Sequence, residues 1–217
     1  MYVLGLTGSI AMGKSWAVNC LRRLKLPVHE SDACVHELLA PKGKAVTEIL
    51  SVFPGTQNSL GGIDRSKLSD CVFGHPAELA VLEHVLHPMV KDSQHRFLAQ
   101  HARSQTSLVV LDIPLLFEIK ATNRVDGIMV VSAPIELQYD RALQRPHMTL
   151  QKLQAIMALQ MPDHLKCLGA DFVIQTGLTR GHSDRQISTL VESLKNKPGQ
   201  AWGPGWSQNS RHKGPSS

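Results

Sequence analysis

Apolar positions along the chain alternate between two spacings. Residues 2–6 form a short β-prone run that stops at Thr7-Gly8, after which Ala17, Val18, Leu21 and Leu24 recur at helical spacing. Residues 107–113 and 127–132 are compact runs of Val, Ile and Leu, the pattern of strands covered on both faces in a parallel sheet. Residues 27–29 and 172–174 are shorter runs of the same kind, the second followed by Ile187, Leu190, Val191 and Leu194 at helical spacing. Between them lie amphipathic stretches over 77–102, 135–143 and 149–159, with Thr149 placed as an N-cap and Pro88 marking a corner after His87. The alternation predicts an α/β fold, a three-layer domain of about five parallel strands. Helical insertions are expected over roughly 33–100 and 141–169, within a domain spanning 1–194. Residues 195–217 have no apolar periodicity and are read as a disordered basic tail, with Trp202 and Trp206 too few to anchor it.

Composition narrows the class. At 42% hydrophobic and 19% charged residues over 217 positions, the chain has material for one good-sized core or two small ones. The longest apolar stretch, 108–117, is broken by Asp112 and Pro114, so no membrane span is expected. No basic segment precedes an apolar one at the start, so a cleaved export signal is not expected and a soluble cytoplasmic protein is. The net charge of +5 is carried mostly by Lys195, Lys197, Arg211 and Lys213 of the tail. A basic tail on a nearly neutral body is poor evidence for nucleic-acid binding, and no nucleic-acid partner is expected. Cys20, Cys34, Cys71 and Cys167 show no C-x-x-C spacing and read as buried reduced thiols. His84 and His87 beside Glu83 are too few to make a metal cluster.

The chemistry concentrates in Gly8-Ser9-Ile10-Ala11-Met12-Gly13-Lys14-Ser15, which satisfies G-x-x-x-x-G-K-[ST] between the first strand and the first helix. Such a loop curls backbone N–H groups around a polyphosphate and aims a helix N-terminus at its charge. Lys14 then supplies a cation to the β/γ-phosphates, and Ser15 an oxygen for Mg²⁺. Glu30-Ser31-Asp32 closes the second strand, where open parallel sheets bind ligands, so Asp32 is either a catalytic carboxylate or a helix N-cap. Asp112 ends the third strand and is either a second Mg²⁺ handle or the cap of the turn that follows.

These segments together resemble the dephospho-CoA kinase family, a group of P-loop small-molecule kinases. The resemblance runs from about Tyr2 to Leu194. It includes Gly5-Leu6-Thr7-Gly8, Glu30-Ser31-Asp32, Asp64-Arg65 with Lys67-Leu68, and Phe73 with Pro76. It continues through Leu86-His87-Pro88, Asp112-Ile113-Pro114-Leu115-Leu116-Phe117-Glu118, Arg141, and Arg145-Pro146-His147-Met148-Thr149. Gln160-Met161-Pro162-Asp163 and Ala170-Asp171-Phe172-Val173-Ile174 complete it. The resemblance implies transfer of the ATP γ-phosphate to the ribose 3′-hydroxyl of dephospho-CoA, giving CoA. Asp32, Lys14 and Arg141 would be catalytic. Gly8, Ala11, Met12, Gly13, Lys14, Ser15, Trp16 and Arg145 would bind ATP. Asp32, Arg65, His87, Pro114, Leu115 and Glu118 would bind the acceptor, and Ser15 with Asp112 would serve Mg²⁺. Residues 33–100 would form the CoA-binding region and 141–169 the lid.

The chain departs from the family at several of these positions. Ala11 stands where Gly is common, which matters if the loop needs φ > 0. Trp16 replaces the usual Thr, leaving only its backbone N–H for the α-phosphate. Leu159, Cys167 and Gly169 replace lid arginines, so Arg141, Arg145 and Lys166 are the remaining cations, and Gln175 replaces a smaller Asp or Asn. The departures keep open a diverged nucleotide- or CoA-binding protein with little catalysis, and the shared P-loop and general fold keep open a kinase for another nucleoside or nucleotide.

Overall fold

The computed structural model describes residues 1–203 and Trp206. The elements follow in the order β1 (Tyr2–Thr7), α1 (Lys14–Arg23), β2 (Val28–Glu30), α2 (Ser31–Leu39), α3 (Val46–Val52), α4 (Arg65–Val72) and α5 (Pro76–Arg103). After these come β3 (Leu108–Asp112), β4 (Gly127–Ser132), α6 (Ile135–Leu143), α7 (Leu150–Leu159), α8 (Asp163–Leu168), β5 (Phe172–Gln175) and α9 (Arg180–Leu194). The five strands form one sheet in the order β2-β3-β1-β4-β5, and β1–β3, β1–β4 and β4–β5 pair in parallel. Every residue of β1, β3 and β4 is buried, which is why their sequences run apolar instead of alternating.

One compact unit comprises Met1–His29 and Leu98–Ser217. Its main core joins Leu4, Leu6, Val110, Met129 and Val131 of the sheet to Ala17 and Leu21 of α1 and Ile187 and Val191 of α9. The register of the sheet positions the site: Leu6 pairs with Asp112 and Thr7 with Val130. The carboxyl ends of β1, β3 and β4 therefore emerge together at one edge.

Glu30–Phe97 forms a second compact unit. Cys34, Leu38, Ile49, Phe53, Leu68 and Leu86 make its core. Asp64 caps α4, accepting from the N–H groups of Ser66 at 3.0 Å and Lys67 at 3.3 Å. Here one sequence expectation fails. Pro88 lies inside the continuous 28-residue α5, not at a corner. A proline removes one helical hydrogen bond, but Val85 and Leu86 just before it are buried in the unit's core, so packing carries the helix past the missing bond.

Two further corrections concern the cysteines and the tail. Cys20 and Cys34 are buried as expected, whereas Cys71 is exposed and Cys167 half-buried; all four are unpaired. Burial pushes the Cys20 thiol up to about 12, with Asp184 adding to the shift. Residues 195–203 and Trp206 are not structureless. Asp126 accepts from Val3 N–H through one carboxylate oxygen, at 2.8 Å, and from Gln200 and Ala201 N–H through the other. Lys197 lies 5.5 Å from the centroid of the Tyr2 ring, and buried Trp206 donates from Nε1 to the Arg124 carbonyl at 3.1 Å. Satisfied amides and aromatic burial replace the missing periodicity as the ordering force. The remainder of the predicted tail, 204–205 and 207–217, lies outside the described residues.

Candidate active site

The loop from Gly8 to Gly13 joins the end of β1 to the start of α1. Gly8 is required by proximity, because a Cβ there would fall 2.5 Å from Val131 Cγ2 and 2.9 Å from its carbonyl oxygen. Gly13 is required twice: its φ is 93°, and a Cβ would sit 3.0 Å from Thr176 Oγ1. Ala11 also adopts the left-handed region, with φ 62°, where a non-glycine residue costs about 1–2 kcal/mol. The left-handed Ala11 and Gly13, separated by Met12, give the loop the turns from which an anion-binding nest is built. The first turn of α1 contains no acid, and Gly13 at its N-cap has no side chain to cap it, so the amides and positive dipole end of that turn suit a phosphate.

Lys14 leaves that turn and reaches Asp112, its Nζ lying 2.9 Å from Oδ1 and 2.8 Å from Oδ2. Asp112 is only 2% exposed, so the pair is well shielded and holds the cation at the edge where the loop opens. Ser15 is exposed in the same turn, and the side chain of Trp16 packs partly buried against the main core. Thr7 Oγ1 donates to the Pro114 carbonyl at 2.9 Å, fixing the turn that follows Asp112, while Leu115 is exposed.

Three residues that the sequence reading missed brace the loop. Thr176, directly after β5, donates through Oγ1 to the Met12 carbonyl at 2.7 Å and accepts from Arg141 Nη1 at 3.2 Å. Arg141 Nη2 adds a 2.7 Å bond to the Thr176 carbonyl. Gln138 of α6 donates to the Ile10 carbonyl, and Gln160, after α7, accepts from the Ile10 N–H, both at 2.9 Å. Only position could have revealed Thr176, at the carboxyl end of a predicted strand; nothing in the local sequence marks the two glutamines as loop partners.

Glu118 and Lys166 are paired with one another. Lys166 is fully buried, with Nζ 2.9 Å from Glu118 Oε1, which also accepts from the Met161 N–H at 2.9 Å. The ammonium lies off the line of a directed hydrogen bond, and Glu118 Oε2 is buried without a hydrogen-bond partner among the described residues. Glu118, which the resemblance places with the acceptor-binding groups, also anchors the segment around α8. Lys166 is likewise committed and is no spare cation for phosphate. Cys167 supplies no positive charge in either protonation state, and burial raises its thiol above the ordinary range. Arg145 is exposed.

The remaining predicted residues lie in the second unit. Asp32 is exposed in the first turn of α2, whose N-cap position is Glu30, so it is not the helix cap. Ser31 beside it is buried and accepts from Gln94 Nε2 at 3.1 Å. Arg65 and His36 approach to 3.3 Å, and His87 is exposed on α5.

A family profile described as dephospho-CoA kinase matches residues 2–179, which takes in the phosphate loop, Asp32, Asp112, Arg141 and Thr176. The chain belongs to the dephospho-CoA kinase family. It is 53% identical over 166 residues to the dephospho-CoA kinase of Paramagnetospirillum magneticum, covering 76% of this chain and 78% of that one. It is 43% identical over 199 residues to that of Mesorhizobium japonicum, covering 92% and 100%. The crystal structure of TT1252 from Thermus thermophilus superposes with a TM-score of 0.75 at 30% identity, over 89% of this chain and 97% of that one. Membership of the family does not favour the two alternatives left open by the sequence.

Proposed function

We infer that this chain is an ATP-dependent kinase that transfers the γ-phosphate to the ribose 3′-hydroxyl of dephospho-CoA. Family membership supports the reaction, and one observation of the chain itself carries the donor side: Lys14 held against buried Asp112 beneath a loop with left-handed Ala11 and Gly13. A polyphosphate in that nest would meet the α1 amides and the Lys14 ammonium, which offset the charge that develops during transfer.

The donor set suits Mg²⁺ delivered with the nucleotide. Ser15 and Asp112 offer hard oxygens, and among the described residues no group of three or more His, Cys, Asp or Glu would hold an ion unaided. Those two residues would hold Mg²⁺, which would supply charge neutralisation to the phosphates. Arg141 and Arg145 are the cations assigned to the transferring phosphate and to ATP. On its place in the family pattern, Asp32 is assigned to orient the acceptor hydroxyl and take its proton, with Arg65, His87, Pro114, Leu115 and Glu118 contacting dephospho-CoA. Residues 141–169 would form the lid that excludes water as a competing acceptor. We assign the enzyme to the cytoplasm as a monomer without nucleic-acid partners; among the described residues no helix is long and apolar enough to cross a membrane.

The test is CoA formation from ATP and dephospho-CoA by the purified chain, beside Lys14→Ala and Asp32→Asn. Lys14→Ala is expected to abolish turnover. Asp32→Asn is expected to lower kcat by about 10²-fold or more, the range for losing a general base, while ATP still binds by calorimetry. Wild-type kcat in the asparagine variant would remove Asp32 from the mechanism. Absence of CoA formation by the unaltered chain would remove the function.

A further inference from the structure

Ile10 is held from both sides at the point where the loop is most strained. Its N–H can only donate and its carbonyl can only accept, so the two bonds orient both amides: Gln160 turns Oε1 inward and Gln138 turns Nε2 inward. Neither glutamine is loosely placed. Gln138 is buried on α6. Gln160 is followed by Met161, whose N–H is held by Glu118, itself paired with fully buried Lys166. The next residue after Ile10 is Ala11, non-glycine at φ 62°. Such a conformation persists only where its surroundings over-determine it.

We propose that Gln138 and Gln160 are positioning residues for the phosphoryl donor: together they clamp the two peptide units flanking Ile10 and so hold Ala11 in the left-handed form that keeps the nest open for ATP. This rests on reading residues 8–15 as the phosphate loop. Without the clamp the loop relaxes away from the strained form and ATP has to reselect it. Apparent affinity then falls by the fraction of loop still competent, while the step after binding is untouched. The two glutamines act with opposite polarity, so one substitution separates them. Glutamate at 160 keeps an acceptor for the N–H, whereas glutamate at 138 removes the donor and sets a carboxylate against a carbonyl.

The experiment measures kcat and KM for ATP and for dephospho-CoA in Q138A, Q160A, Q138E and Q160E, with melting temperatures, in wild-type and A11G backgrounds. A loop left competent about one-tenth of the time predicts an ATP KM raised about tenfold in Q138A, Q160A and Q138E, with kcat and the dephospho-CoA KM within about twofold. Q160E is expected to stay within about threefold of the wild-type ATP KM, because the acceptor survives. In the A11G background the rise is expected to shrink to about twofold, since glycine occupies the left-handed region without strain. The melting temperatures and the A11G rescue separate loss of the clamp from loss of the fold. An unchanged ATP KM in Q138A and Q160A would overturn the proposal, as would an equal rise in both backgrounds or Q138E and Q160E behaving alike. If Lys14→Ala, run in parallel, retained full activity, the phosphate-loop reading itself would fall. If it abolished activity while the glutamine variants stayed normal, the clamp alone would be wrong.

Discussion

Ala11 shows how one side chain can carry a cost that its neighbours absorb. Its Cβ sits in a conformation that glycine occupies freely, at φ 62°, in a loop whose path is set by the close approach of Gly8 to Val131 and of Gly13 to Thr176. Relief of about 1–2 kcal/mol of strain would be partly offset by the greater freedom of glycine in the unfolded chain, about 0.4–1 kcal/mol. Ala11→Gly is therefore expected to stabilise the protein by roughly 0.5–1 kcal/mol, read as a higher urea midpoint at unchanged slope. A lower midpoint would mean that the alanine methyl makes packing contacts worth more than the strain. The strain was foreseeable as a condition, since the motif places a residue other than glycine where the loop turns. Whether φ is positive there depends on the walls around the loop, and those come from β4 and from Thr176, more than 100 residues away.

At the level of elements, the segment around α8 is pinned by a buried charge pair. Lys166 is fully buried, Glu118 is 16% exposed, and they meet at 2.9 Å. Removing one partner of such a pair leaves the other charge buried, at a cost of about 3–5 kcal/mol. Lys166→Met and Glu118→Gln are each expected to lose about 3 kcal/mol, and the double variant markedly less than their sum, as measured by urea unfolding. Additive losses would show that the two side chains do not interact. Apolar spacing marked most elements here to within a residue or two, including α6 over Ile135–Leu143 and Thr149 as the cap of α7, where it accepts from Lys152 N–H at 3.2 Å. It failed at Pro88, because a local helix-breaking signal was outweighed by burial in the second unit's core.

Across the first unit, catalytic candidates and stabilising closure occupy opposite ends of the sheet. The loop and Asp112 lie where β1 and β3 exit, whereas Asp126, Tyr2 and the Arg124 carbonyl hold Lys197, Gln200, Ala201 and Trp206 at the ends where β1 and β4 begin. Trp206→Ala is expected to cost about 3 kcal/mol of stability, the low end for a buried aromatic, while leaving the ATP KM unchanged because the phosphate loop is remote. A stability change below about 1 kcal/mol would mean that this closure contributes little to the fold. Strand and helix periodicity, the G-x-x-x-x-G-K-S loop and the strand-terminal Asp112 could all be read from local order, because backbone geometry and phosphate chemistry act over a few residues. The partners of those groups could not: Thr176 on Met12, the two glutamines on Ile10, Glu118 on Lys166, and Trp206 on the Arg124 carbonyl are contacts between residues distant along the chain. They arise only when parallel strands bring their carboxyl ends to one edge and folding brings remote side chains against the same backbone, and no period or motif encodes which of them will meet.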